Sequence, residues 1–129
     1  MAQALLVSVD IPIGSEILDI LDRAKVKVSV ALWAYLSEEY DDWRMILAGR
    51  QLDTLPTTMR ASRLVNDALR AAEFPIEKEP PVMILPMISP FIKDLRRAYA
   101  KSKNVEGIRP GGQLFGDRFV EDGYIYRIS

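Results

Sequence analysis

Two short stretches carry residue types that could bind an anion. Ser89 stands at the predicted start of a helix, where the backbone amides of the first turn attract negative charge. Arg109 lies close to Gly111 and Gly112, whose backbone amides could approach a phosphate or a carboxylate. Together these four residues predict a site for a small anionic ligand such as a phosphate, a carboxylate or a nucleotide.

The same residues also have a purely structural interpretation. Serine before proline is a common helix start, and the pair Gly111-Gly112 is typical of a bulge in a strand. The spacing matches neither of the familiar glycine-rich nucleotide-binding motifs. Asp122 or Tyr124 could serve as an acid–base group, provided that Ser89 and Arg109 line one cleft.

The chain has no histidine and no cysteine, so its chemistry would fall to carboxylates, hydroxyls, lysine and arginine. Most zinc and iron–sulfur ligand sets are thereby excluded. An acidic loop could bind Mg²⁺ or Ca²⁺ but lacks the spaced ligands and glycine of a calcium loop; its members are Glu38, Glu39, Asp41 and Asp42. We therefore predict a solvated loop there, and no catalytic residue, metal or cofactor.

Basic residues cluster on two predicted helices. One group comprises Arg60, Arg63 and Arg70, and the other comprises Lys93, Arg96, Arg97, Lys101 and Lys103. A nucleic-acid function would require the two faces to be contiguous, and no recognised binding motif accompanies them. With a net charge of −1 the composition does not favour nucleic acid, and solvated helix surfaces are the simpler interpretation.

Aromatic residues fall on single faces of two predicted strands. Trp33 and Tyr35 share one face of the first strand, and Tyr124 and Tyr126 share one face of the last. If helices cover only one side of the sheet, these four residues could form an interface platform on the open side. The alternative is that they pack against helices as ordinary core.

The elements that would position these residues are predicted from periodicity. A helix is expected over 15–25 with Ser15 as its N-cap, then a strand over 26–36 that alternates apolar and polar positions. The segment 43–48 is read as the returning strand of a hairpin, with a helix through 37–48 as the alternative. An additional strand could lie at 4–9.

The second half of the chain continues the pattern. Residues 56–74 predict the clearest amphipathic helix, and the apolar run 82–88 predicts a strand buried on both faces. Ser89 then caps a further helix. The C-terminus predicts a hairpin with arms 107–115 and 118–128, joined by a type II′ turn at Gly116-Asp117.

This order of elements predicts an α+β sandwich in one domain spanning residues 1–129. A mixed, mostly antiparallel sheet of about five strands would be covered on one face by three helices. The length is sufficient for a hydrophobic core, and 49% of the residues are hydrophobic. The sequence lacks a convincing signal peptide and a membrane-spanning run, so a cytoplasmic protein without a membrane partner is expected.

Three stretches resemble small bacterial proteins of unknown function. They are Ala31–Tyr35 (ALWAY), Asp42–Arg44 (DWR) and Glu121–Arg127 (EDGYIYR). The resemblance covers most of the chain from the first helix onward and implies a bacterial cytoplasmic protein. It implies no activity, cofactor or site.

The leading functional hypothesis is a small non-enzymatic interaction or regulatory module. Its partner would be another protein or a second copy of itself, bound through a sheet edge or through the aromatic residues Trp33, Tyr35, Tyr124 and Tyr126. The alternative is a binding domain or enzyme for a small anionic ligand, based on Ser89, Arg109, Gly111, Gly112 and Asp122.

Overall fold

Helices and strands are mixed along the chain, as the sequence predicts for the α+β class. The computed structural model describes residues 10–129, apart from the side chain of Thr58. The helices are α1 (Asp10–Arg23), α2 (Arg50–Asp53), α3 (Thr58–Ala71) and α4 (Pro90–Ala98), with a 3₁₀ turn at Ile76–Lys78. The strands are β1 (Val30–Tyr35), β2 (Trp43–Ala48), β3 (Val82–Ile84), β4 (Gln113–Phe115), β5 (Arg118–Val120) and β6 (Asp122–Ile128). The strand suggested at 4–9 lies outside the described residues.

Four of these strands form a central mixed sheet in the order β3-β2-β1-β6. Strand β1 runs antiparallel to both β2 and β6, whereas β3 runs parallel to β2. At one end of the sheet Tyr35 lies opposite Trp43 and Asp122, and at the other end Val30 lies opposite Ala48 and Ile128. The mostly antiparallel character is confirmed.

The C-terminal hairpin is shorter than expected. Its turn is confirmed, because Gly116 has a φ of 60° between the paired residues Phe115 and Arg118. The second arm divides after Val120, so that β5 pairs only with β4 while β6 joins the central sheet. The central sheet therefore has four strands, and β4–β5 form a separate two-stranded ribbon.

Both faces of the sheet are covered, so the expectation of three helices on one face is wrong. Helices α1 and α3 pack on the face that carries Trp33, Tyr35 and Met45. Helix α4 and the β4–β5 ribbon pack on the opposite face against Leu32, Ile46 and Ile125. Strands β1, β2 and β6 supply apolar side chains to both layers, which is why the two layers can close over one sheet.

The helix termini follow local sequence, with one correction. Thr57 and Ser89 cap α3 and α4 by accepting hydrogen bonds from the backbone amides of Arg60 and Ile92. Helix α1 already includes Asp10, so Ser15 is an interior residue rather than the N-cap. Pro12 does not prevent this earlier start, because the amides of a first helical turn need no intrahelical partner.

Strand β3 also differs from its prediction. It spans three residues of the apolar run 82–88 and is half-buried rather than buried on both faces. It lies at the edge of the sheet, and Pro86 follows it closely. Within residues 10–129 no helix is both long enough and apolar enough to cross a membrane.

Candidate functional site

The predicted anion-binding residues belong to two separate places. Ser89 caps α4: its Oγ accepts from the Ile92 amide at 3.4 Å. Arg109 is exposed and donates from Nη2 to Asp122 Oδ2 at 2.7 Å, while Asp122 Oδ1 accepts from the Gly123 amide. The Arg109 guanidinium is thus already matched with a carboxylate.

Gly111 and Gly112 lie beside the Arg109–Asp122 ion pair and have a structural role. The Gly112 amide donates to the Glu121 carbonyl at 3.2 Å, and Gly112 has a φ of 64°. A Cβ at Gly111 would lie 3.1 Å from the same carbonyl oxygen. The glycines therefore allow the loop to approach the start of β6, in agreement with the structural interpretation of this pair.

The register of the sheet separates Ser89 from Arg109. Asp122 lies opposite Tyr35, at the end of the sheet where β2 begins with Trp43. Ser89 follows β3, whose Ile84 lies opposite Leu47 near the other end of β2. Four residues of strand span about 13 Å. Ser89 and Arg109 have different hydrogen-bond partners, Ile92 and Asp122, and a shared anion site stays a prediction.

The four aromatic residues do not form an open platform. Trp33 and Tyr35 are each 3% exposed beneath α1 and α3, and Tyr126 is buried beside them. Trp33 Nε1 donates to the Tyr126 hydroxyl at 2.8 Å, and that hydroxyl donates to the Ile11 carbonyl at 2.7 Å. Tyr124 is half-buried and stacks edge-on against Tyr126. These contacts fasten β6 and β1 to α1.

Burial raises the pKa of Tyr126 above its usual range, and the donated Trp33 hydrogen bond opposes this only in part. The neutral hydroxyl is therefore strongly preferred in the folded protein. A tyrosine held in this way is suited to bridging two elements and is poorly suited to releasing a proton near neutral pH.

The charged groups are dispersed. Among the described residues no three potential ligands group together to hold a metal ion. In the acidic loop, Glu39 pairs with Arg118 at 2.7 Å. The basic faces of α3 and α4 lie on opposite sides of the sheet, so they are not contiguous as a nucleic-acid site would require.

Among the strands that the structure describes, none pairs with the outer side of the edge strand β3. The Pro81 carbonyl accepts from the Met45 amide, and the Leu85 amide donates to the Leu47 carbonyl, so both groups point inward. Because strand residues alternate, Met83 also faces β2 while Val82 and Ile84 direct their N–H and C=O groups outward.

An apolar cleft lies at the carboxyl end of β3. It has a volume of about 450 Å³, and its walls come from β3, the segment after β3, α2 and the start of α3. The lining residues are Leu52, Asp53, Leu55, Pro56, Thr57, Ala61, Ile84, Pro86 and Ile88. Asp53 is held by accepting from the Met87 amide at 3.1 Å, which ties α2 to the segment after β3.

One large apolar side chain projects at this surface. Ile88, on the rim of the cleft, is 78% exposed. We call the outer side of Val82–Ile84, the cleft and the Ile88 side chain the β3 edge surface. The sequence alone does not reveal this surface, because the apolar run 82–88 predicts a strand buried on both faces. The proline at position 86 was the available signal that this run leaves the sheet.

No protein-family model matches the chain, and no curated protein or solved structure matches it.

Proposed function

We propose that this protein is a small, non-enzymatic protein-interaction module that associates with a second copy of itself through the β3 edge surface. The observation that carries the proposal is the exposed Ile88 beside an apolar cleft, at a sheet edge that no strand within residues 10–129 covers. The absence of cysteine agrees with a reducing compartment, and the same proposal places the module in the cytoplasm.

Self-association is favoured because the surface carries both a projection and a depression. In a two-fold interface each patch contacts the same patch on the partner copy. The 78% exposed Ile88 of one copy could then enter the cleft of the other, and the reverse contact would follow by symmetry. Each copy would remove a large apolar side chain from water, which is the main source of association free energy.

The backbone of β3 supports the same arrangement. Two β3 strands placed antiparallel about a two-fold axis would pair the outward groups of Val82 and Ile84 across the interface. The prolines at 80, 81 and 86 limit this ladder to a few residues. Side-chain contacts in the cleft would therefore contribute most of the affinity, and further strand addition beyond a dimer is prevented by symmetry.

The test is the oligomeric state in solution. Sedimentation velocity over a concentration series is expected to show a monomer–dimer equilibrium for the wild type. Ile88→Asp places a charge in the apolar interface and is expected to give a monomer at every concentration. Leu114→Asp is the matched control, since Leu114 is 65% exposed on the separate β4–β5 ribbon.

Two results would overturn the proposal. One is a wild type that remains monomeric at the highest soluble concentration. The other is a dimer that Ile88→Asp leaves intact or that Leu114→Asp disrupts equally. Circular dichroism of both variants establishes that each remains folded, so loss of the dimer is not confused with loss of the fold.

A further inference from the structure

A cleft lies at the carboxyl end of helix α4, between the segment that follows this helix and the end of β6. It has a volume of about 440 Å³. Its basic and polar lining residues are Arg96, Arg97, Tyr99, Ser102 and Ser129. Tyr99 and the further lining residue Ile128 are half-buried and pack against the layer that contains α4, so part of the wall is apolar.

The cleft holds hydrogen-bond donors that the described part of the protein does not use. Arg96 Nε donates to the Ser129 carbonyl oxygen at 3.0 Å, which directs the guanidinium toward the end of β6. The two terminal nitrogens of Arg96 have no hydrogen-bond partner within residues 10–129, and neither do the Tyr99 and Ser102 hydroxyls. Burial raises the pKa of Tyr99 above its ordinary value of 10.0, so this hydroxyl keeps its proton and can donate.

The charge around the cleft is positive. Residues 93–103 include one acid, Asp94, against the cations Lys93, Arg96, Arg97, Lys101 and Lys103. Glu106, a carboxylate on Ser129 and the negative end of the α4 dipole, which is equivalent to about half an elementary charge, reduce this excess without removing it.

Two acids on the neighbouring elements already have partners. Asp94 accepts from Arg97 Nη1 at 2.8 Å and from the Gly116 amide at 2.6 Å. Asp22 is paired with Arg127 of β6, so this pair adds no net charge. The terminal nitrogens of Arg96 therefore face no competing carboxylate from either residue.

We propose that this cleft binds a phosphate monoester, with the phosphate on Arg96 and Arg97 and its organic group against Tyr99 and Ile128. A phosphate carries three acceptor oxygens and about two negative charges at neutral pH, so it can engage several donors at once. A carboxylate, by contrast, is satisfied by one guanidinium. The cleft adjoins β6, at the opposite edge of the sheet from β3, so the proposal does not depend on the dimer.

The test is an NMR titration of the isotopically labelled protein with phenyl phosphate, inorganic phosphate and benzoate at matched ionic strength. We expect saturable shifts of the Ser102 and Ser129 amide resonances with phenyl phosphate, with a dissociation constant on the order of 1 mM. Inorganic phosphate should shift the same resonances with lower affinity, because it lacks a ring to pack on Tyr99. Benzoate keeps the ring but carries a carboxylate, and it should bind about tenfold more weakly than phenyl phosphate.

The variants make the assignment specific. Arg96→Gln is expected to weaken phenyl phosphate binding about tenfold, and Arg97→Gln and Tyr99→Phe about threefold each. Arg63→Gln is the matched control, because Arg63 is an exposed arginine of α3, which packs on the other face of the sheet. Its loss should leave the affinity unchanged. Tyr99→Phe keeps the test valid if Arg96→Gln fails to fold.

Three outcomes contradict the proposal. The first is that phenyl phosphate at millimolar concentration causes no saturable shift of the Ser102 and Ser129 amides. The second is that Arg63→Gln weakens binding as much as Arg96→Gln does, which would indicate a diffuse charge effect rather than a site. The third is that benzoate binds as tightly as phenyl phosphate, which would show that the phosphate is not recognised.

Discussion

The two edges of the central sheet are treated differently by the rest of the chain. Along β6, the loop that precedes the β4–β5 ribbon pairs with the strand: the Gly107 amide donates to the Ile125 carbonyl, and the Ile125 amide donates to the Ile108 carbonyl. Ion pairs close both ends of this edge, through Asp122 and through Arg127. Along β3, no described strand or loop of this kind covers the outward backbone groups.

The two edges therefore differ in the stabilising contacts that the rest of the described chain makes with them. An uncovered strand edge invites pairing with another chain, and proteins commonly cover or shorten such edges. Here one edge is covered, and the other is short, bounded by prolines and flanked by an apolar cleft. Changes along β6 should therefore affect folding, whereas changes along the β3 edge surface should affect association.

The largest effect on stability is expected for Gly123→Val in β6. A Cβ at Gly123 would lie 3.0 Å from both Pro110 Cγ and the Trp33 carbonyl oxygen, so a larger side chain must push the covering loop away from the strand. We expect a loss of about 3 kcal/mol in urea unfolding. Val82→Ala at the open edge should cost about 1 kcal/mol. Equal losses would show that the β6 edge is not packed more tightly than the β3 edge.

A smaller loss is expected for Tyr126→Phe. The substitution removes the hydroxyl that accepts from Trp33 Nε1 and donates to the Ile11 carbonyl, so a buried indole donor loses its partner. The expected cost is about 2 kcal/mol in the free energy of unfolding. A change below the error of the measurement would mean that this bridge does not fasten β6 to α1.

Tyr126 also predicts a dependence of stability on high pH. Burial raises its pKa in the folded state above the ordinary value of 10.0, so the folded protein keeps the proton that the unfolded chain releases. The stabilisation is complete below pH 10 and declines as the pH rises above it. The decline should be shallower in Tyr126→Phe, with the remainder coming partly from Tyr99, whose pKa burial also raises.

The smallest effect is expected for Asp22→Asn, at the α1 end of the covered edge. The Arg127 hydrogen bond lowers the pKa of Asp22, so this pair stabilises the fold above pH 3.8 and loses that contribution as the pH falls through the lowered pKa. The aspartate is 46% exposed, so we expect only a few tenths of a kcal/mol at neutral pH. The wild-type advantage in melting temperature should vanish in acid; an advantage that persists there would point to packing instead.

Local signals in the sequence were sufficient for several elements. The 3.6-residue period of α3, the cap at Ser89 and the turn at Gly116 each depend on residues close together in the chain, and all three are confirmed. The period-two pattern also predicts a strand here, but over 26–36, whereas β1 spans only Val30–Tyr35. The start of α1 was placed too late because Ser15 is a good N-cap in isolation.

These local signals do not determine how elements that are distant in the sequence pack against one another. Periodicity does not show which helix covers which face of the sheet. The sequence is therefore consistent with the four aromatic residues being either core or an exposed platform, and the packing of α1 and α3 over them shows that they are core. Nor does it locate edges, which is why β3 was read as an interior strand.

The most direct test of the account is amide hydrogen exchange measured at several protein concentrations. The Val82 and Ile84 amides should exchange rapidly in dilute solution and slow as the dimer forms, whereas the Ile125 amide, bonded to Ile108, should be protected throughout. Ile88→Asp should abolish the concentration dependence. If the Val82 and Ile84 amides exchange at the same rate at all concentrations, the β3 edge surface is not where two copies meet.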